Sequence, residues 1–136
     1  MNLSACSYRV GAIVDRRNPV SNGDLHGEAI DWIELVPRLR ERLRKAGLGD
    51  ATVGAADGLA VEIVSAYGQG KSSSKSFTTV LRVKLPERDL VARGVDTGVN
   101  WTSGKSEISR GLLRSFDQAA NRLVGLLAQN CGASAG

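Results

Sequence analysis

The segment from Leu59 to Leu85 constrains the fold of this chain most strongly. It reads as two apolar strands joined by a polar loop rich in glycine and serine, which is the pattern of a β-hairpin. Arg82 and Lys84 alternate with apolar residues and point away from them. A hairpin alone is marginal in water, so we expect the flanking amphipathic segments to cover its apolar face. That face is predicted to carry Val61, Ile63, Thr79, Leu81, Val83 and Leu85.

The size and composition of the chain are those of one globular domain. With 136 residues, 42% apolar and 24% charged, it can bury a single core. No segment has the apolar length that spans a bilayer. Much of the net charge of +4 lies in the run from Arg38 to Lys45. We expect one domain over residues 8–130, preceded by a tether, residues 1–7, and followed by a flexible tail, residues 131–136.

Before the hairpin, the pattern predicts a first strand and a first helix. The strand runs from Tyr8 to Arg16, with Val10, Ala12 and Val14 on one face. A capping box, Asp31 with Glu34, opens the helix, and Gly47 ends it. Pro37 either kinks this helix or moves its start towards residue 37. The apolar stripe is Ile33, Val36, Leu39 and Leu43, and the side chains outside it are Arg38, Arg40, Arg42 and Arg44.

After the hairpin, the pattern predicts one more strand and a long helix. Pro86 ends the second arm, and a charged connection, Glu87 to Arg93, leads to the strand. Val95, Thr97, Val99 and Trp101 alternate with polar residues in that strand. The helix begins at Ser106, and its stripe is Ile108, Leu112, Phe116, Ala119, Leu123 and Leu127. The order β-α-β-β-β-α predicts an α+β fold, a four-stranded antiparallel or mixed sheet with both helices on one face.

The first residues indicate where the protein works. Leu3-Ser4-Ala5-Cys6 resembles the lipobox of bacterial lipoproteins, in which the signal peptidase cuts before a cysteine whose thiol is lipidated. The resemblance implies lipidation of Cys6 and a membrane anchor. Ser7 is not the aspartate that retains many lipoproteins in the inner membrane, which implies the periplasmic face of the outer membrane. An alternative role for Cys6 is a disulfide with Cys131.

The order of elements and several local patterns resemble small envelope lipoproteins of Gram-negative bacteria, particularly the YajG-type lipoproteins. In topology the chain is also similar to the lipopolysaccharide-assembly lipoprotein of the outer-membrane translocon. The patterns are the VGAIVDRR strand followed by Pro19, the helix ending RKAGL, the long hairpin, and the final helix after GVNWTSGKSEIS. This resemblance supplies no catalytic residues.

Two Gly-Lys-Ser triplets suggest phosphate loops, Gly70-Lys71-Ser72 and Gly104-Lys105-Ser106. A phosphate loop also needs a glycine five positions earlier, where this chain has Ser65 and Val99. Gly104 lies between a strand and a helix, so an anion- or nucleotide-binding module that uses Gly104-Lys105-Ser106 is the alternative function.

Other candidates for chemistry are isolated in the sequence. His26 is the only histidine and lies in a predicted loop, without an identifiable nucleophile or orienting partner. Asp96 and Glu107 lie on different elements, and nothing in the pattern pairs them. The cysteines have no metal-ligand spacing. We therefore expect neither an enzyme nor a metal or cofactor site.

The predicted function is that of a lipid-anchored accessory, which binds or helps assemble another envelope component. The expected partner is an envelope protein, lipopolysaccharide or a lipid headgroup. The arginine run lacks aromatic stacking residues, so we predict a solvated helix face and no nucleic-acid partner. Two regions are candidates for partner contact: the hairpin tip from Gly68 to Ser76, with Lys71 and Lys75, and the exposed sheet face, with Arg82 and Lys84.

Overall fold

A computed structural model describes residues 8–16, 34–51, 58–71, 74–85, 88–99 and 105–135. Its elements follow the predicted order, strand, helix, three strands, helix. They are β1 (Arg9–Asp15), α1 (Leu35–Lys45), β2 (Gly58–Lys71), β3 (Ser74–Lys84), β4 (Asp89–Val99) and α2 (Lys105–Ala135).

The strands form one mixed sheet in the order β1-β2-β3-β4. β1 is parallel to β2, and the other two pairings are antiparallel. The helices lie on the same side of the sheet, because α1 contacts β1, α2 contacts β3 and β4, and the helices contact each other. The predicted α+β class and layer arrangement are confirmed.

The apolar face of the hairpin is buried as predicted, but the tip of the hairpin differs from the prediction. Leu81 and Val83 of β3 are fully buried, and Val61 and Ile63 of β2 lie in the same core. The backbone pairing continues to Lys71 and Ser74, so only residues 72–73 connect the strands. The prediction of a loop from Gly68 to Ser76 is therefore wrong, because most of these polar residues belong to β2 and β3 and are paired across the two strands.

β1 changes face along its length. Val10 is buried as predicted, whereas Ala12 is exposed and Val14 is 40% exposed. The register with β2 shifts between Val10 and Ile13, and such a bulge reverses which side chains face the core. A β-carbon at Gly11 would lie 2.7 Å from the Leu59 carbonyl oxygen, so this close approach requires glycine.

α1 begins at Leu35, one residue after the Glu34 N-cap, whose side chain makes no capping hydrogen bond. The predicted capping-box start is therefore wrong; Asp31 lies outside the described residues. Pro37 falls in the first turn, where its missing N–H needs no partner, which confirms that the start moves towards it. The buried stripe is Leu35, Leu39 and Leu43; Val36 is only partly buried, and the predicted Ile33 lies outside the described residues.

Gly47 ends α1, as predicted. Its φ of 104° is in the left-handed region, and its N–H donates to the Arg44 carbonyl (2.9 Å). The Leu48 N–H donates to the Leu43 carbonyl (3.0 Å), which completes a Schellman motif with both leucines buried. The chain then runs beside β1, where Val10 bonds to Gly49 and Ala51.

β4 starts earlier than predicted and faces the other way. It begins at Asp89, so part of the expected charged connection is paired with β3. Leu90 and Ala92 are buried, whereas Val95 is 39% exposed, so the predicted apolar stripe from Val95 lies on the side away from the helices. Residue 101 lies outside the described residues.

α2 carries the predicted stripe, with Leu112, Phe116, Ala119, Leu123 and Leu127 buried. The side chain of Ile108 lies outside the described part of the helix. The backbone is helical to Ala135, through most of the segment that we expected to be a flexible tail.

Side chains of α2 also cover the free edge of β4. The Val95 N–H donates to Gln118 Oε1 (2.8 Å), and Arg122 donates to the Arg93 carbonyl (2.6 Å). These contacts satisfy backbone groups that a foreign strand would otherwise pair with.

Candidate functional site

The side of the sheet away from the helices is called the outer face. Strand register places its residues in rows, of which one runs Val14, Glu62, Arg82, Val91 across all four strands. The next rows along β3 and β4 pair Lys84 with Asp89, Val80 with Arg93, and Thr78 with Val95. No described helix packs on this face.

Glu62 lies at the centre of the outer face, and three cationic side chains surround it. Arg82 Nη2 donates to Oε2 at 2.7 Å, and Arg16 Nε donates to the same oxygen at 2.8 Å. Lys84 Nζ donates to Oε1 at 3.1 Å. The Glu62 side chain is only 4% exposed, whereas those of Arg16 and Lys84 are 58% and 50% exposed. The carboxylate is buried beneath these cations, of which Arg16 and Lys84 remain about half exposed.

These contacts keep Glu62 ionised. Its pKa falls from 4.5 to about 2, mainly because of the Arg82 hydrogen bond and next because of the Lys84 hydrogen bond, against the opposing effect of burial. Glu62 in turn raises the pKa of Arg82. Arg82 Nε is buried without a hydrogen-bond partner, so the network orients this guanidinium through Nη2.

Three valines are exposed on the outer face. Val14 is 40%, Val91 55% and Val95 39% exposed, and these are the large exposed hydrophobic residues among those that the structure describes. Val14 and Val91 stand at opposite ends of the row that Glu62 and Arg82 occupy. The face therefore combines a cationic centre with apolar margins.

The structure brings together only part of the predicted contact set. Arg82 and Lys84 lie on the outer face, as expected, and share Glu62. Lys71 and Lys75 belong to the far ends of β2 and β3, and their side chains lie outside the described part of the structure. The two predicted contact regions therefore lie at different places along the hairpin.

Several other predicted residues lie outside the described residues. These are Cys6, His26 and Gly104, together with the side chains of Lys105, Ser106, Glu107 and Cys131. Lys105 is the first residue of α2. Among the described residues, no group of His, Cys, Asp or Glu side chains has the arrangement of a metal site. Asp96 is bonded to Arg114, at 3.2 Å.

The arginines of α1 bind neighbouring parts of the protein. Arg38 forms two hydrogen bonds to Asp117 of α2 (3.0 and 2.8 Å), which raise its pKa. Arg40 and Arg44 both bond to Asp50 and lower the pKa of that carboxyl, Arg40 most. Arg42 donates to Asn121 at 2.8 Å. These side chains connect α1 to its neighbours, and their hydrogen-bonding groups are largely engaged in contacts within the protein.

Sequence reasoning missed Glu62 and Arg16. Glu62 alternates with Val61 and Ile63, and Arg82 and Lys84 alternate in the same way on the other arm. This opposite-charge pattern indicates a cross-strand ion pair. The sequence around Arg16 contains no such pattern, because the contact of Arg16 with Glu62 depends on the parallel pairing of β1 with β2.

Comparisons with known proteins identify no family for this chain. No family model matches the sequence, and no curated protein matches it significantly. Among solved structures, a minor lipoprotein from Acinetobacter baumannii is similar with a TM-score of 0.49 and 9% sequence identity. The match covers 87% of this chain and 90% of that one. No described helix is both long enough and apolar enough to cross a bilayer.

Proposed function

We propose that this protein is a lipid-anchored lipoprotein of the bacterial envelope that faces the periplasm, with the outer membrane as its site. Its role is non-enzymatic, as a binding or assembly accessory. The observation that carries the proposal is Leu3-Ser4-Ala5-Cys6, in which a leucine and two small residues precede the cysteine. Lipidation of Cys6 would supply the membrane anchor.

The position of Cys6 fits an anchor that holds the domain close to the membrane. Arg9 begins β1, three residues after Cys6. Three residues extend at most about 10 Å, so the start of β1 would stay near the lipid headgroups. The same end of the sheet carries Gly58, which pairs with Arg9, and Lys84, which pairs with Ala60 nearby.

The outer face supports a binding role. It presents Val14, Val91 and Val95 beside the exposed cations Arg16 and Lys84. The cations around Glu62 are already held in place, so less side-chain freedom is lost when a partner binds them. The described carboxylates Glu62, Asp96 and Asp117 bind arginines, and this arrangement supports a structural role for them.

The anchoring proposal is tested by expression from the native upstream reading frame in a Gram-negative host. We expect the protein to incorporate labelled palmitate and to sediment with outer membranes, and the Cys6→Ser variant to do neither. Circular dichroism of the purified variant checks that it is folded. An unlabelled wild-type protein would overturn the proposal, and label found only in inner membranes would overturn the outer-membrane assignment.

A further inference from the structure

The outer face has an excess of positive charge. By strand register it carries the cationic side chains Arg16, Arg82, Lys84 and Arg93, against the carboxylates of Glu62 and Asp89. Glu62 is buried, so it offers little negative charge to a ligand, whereas Arg16 and Lys84 remain about half exposed. Each of these two cations donates one hydrogen bond to Glu62 and has further N–H groups.

The apolar residues lie beside these cations on the same surface. Val14 and Val91 end the row through Glu62 and Arg82, so they stand about 14 Å apart across three strand spacings. Val95 extends the apolar margin along β4. A surface of this kind fits a partner that presents many anionic groups next to apolar material, rather than one small anion.

We propose that the outer face lies on a membrane surface, where its cations contact the phosphates of anionic phospholipids and its valines contact the acyl-chain boundary. The inference rests on the proposed function, because the anchor at Cys6 would hold the domain beside such a surface. Basic residues near an anionic leaflet each contribute attraction to the membrane surface. The outer face would supply the second attachment, and the sheet would lie along the membrane.

The observations favour lipid over an acidic protein partner for two reasons. Arg16, Arg82 and Lys84 gather around the buried Glu62, but the exposed cations Arg16, Lys84 and Arg93 come from the end of β1, from β3 and from β4. The short connection from Cys6 to Arg9 also keeps the bilayer at high effective concentration, so weak contacts distributed over the face suffice for binding.

The test uses the full-length Cys6→Ser chain, which has no lipid, so that failure of anchoring and failure of this inference are distinguishable. Vesicles of phosphatidylcholine are compared with vesicles that also contain phosphatidylglycerol, by co-sedimentation at low salt. We expect binding only to the anionic vesicles, and loss of binding as salt is raised. Lys84→Gln combined with Arg93→Gln should weaken it by about tenfold or more.

The matched control removes the same charge from α1, with Arg44→Gln combined with Lys45→Gln, and should bind within about twofold of the parent. Melting curves establish that both double variants are folded. An equal loss in the control would show attraction by net charge alone and would overturn the proposal. A lack of binding to anionic vesicles would also overturn the proposal. Polyglutamate serves as a mimic of an acidic protein partner, and binding to polyglutamate without binding to the vesicles would point to such a partner instead of lipid.

Discussion

Gly94 of β4 lies directly against Ser115 of α2. A β-carbon at Gly94 would stand 2.0 Å from the Ser115 carbonyl oxygen and 2.6 Å from the Ala119 nitrogen. Both contacts are with backbone, so a side chain at this position would force the helix away from the sheet. This close approach brings Gln118 and Arg122 to the edge of β4.

Gly94→Ala should therefore be strongly destabilising. We expect a loss of about 3 kcal/mol in the free energy of unfolding, as for other overpacked cores, measured by urea denaturation. Gly49→Ala is the matched control, because the nearest atom to its β-carbon would be Arg9 Nη1 at 3.6 Å. The control should change stability by less than about 0.5 kcal/mol. Equal stability of the two variants would contradict the close packing of α2 on β4.

The buried hydroxyls of Thr79 and Ser115 give a second prediction. Ser115 donates its proton to the Leu112 carbonyl (2.7 Å), so Thr79 must donate in the 2.9 Å bond between the two hydroxyls. Ser115→Ala leaves the Thr79 hydroxyl buried without this acceptor and should cost about 2 kcal/mol. Adding Thr79→Val removes the orphaned group and should recover part of the loss. A double variant less stable than Ser115→Ala would contradict this assignment of donor and acceptor.

Stability should depend on pH through Glu62. The carboxyl titrates near 4.5 in the unfolded chain and about 2 in the folded protein. Its contribution is therefore fully present above the unfolded value and is lost as the pH falls from 4.5 towards about 2. We expect the melting temperature to fall more between about pH 7 and about pH 3 in the parent than in Glu62→Gln.

The same Glu62→Gln variant should be less stable than the parent at neutral pH, because Arg16, Arg82 and Lys84 lose their common anion. Asp50→Asn is the comparison for an exposed carboxylate that also binds two arginines. Asp50→Asn should lower the free energy of unfolding at neutral pH by less than Glu62→Gln does, since exposed ion pairs contribute about 0.5 kcal/mol each. If the melting temperatures of the parent and of Glu62→Gln depended on pH in the same way, the low pKa of Glu62 would be contradicted.

The covered edge of β4 gives a further prediction. Gln118→Ala with Arg122→Ala frees the Val95 N–H and the Arg93 carbonyl, which α2 otherwise occupies. An unpaired strand edge promotes association between chains. We expect this variant to self-associate at concentrations where the parent is monodisperse, as measured by sedimentation velocity. A control with Gln129→Ala, an exposed residue on the same helix, should behave like the parent.

Periodicity in the sequence was enough to predict the hairpin and the stripe of α2. Leu81, Val83, Leu112 and Phe116 are fully buried where the period-two and helical patterns place them. Each of these elements buries one continuous apolar face, so the local sequence pattern and the tertiary packing agree.

Periodicity failed where small residues occupy the core face. In β4 the valines Val91 and Val95 are exposed, because Ala92 and Gly94 face the helices and make room for α2. In β1 the bulge at Gly11 reverses the alternation. A pattern that ranks positions by hydrophobicity alone cannot anticipate either close backbone approach. The cluster around Glu62 depends on the register of three strands, which single-strand patterns do not contain.

Mass spectrometry of the mature protein, purified from membranes of cells that express its native reading frame, would show directly whether Cys6 carries the anchor. We expect a chain whose first residue is Cys6, with an acylated amino group and a diacylglyceryl thioether on the sulfur. A mature protein that retains Met1 to Ala5, or whose Cys6 is unmodified or in a disulfide with Cys131, would contradict it.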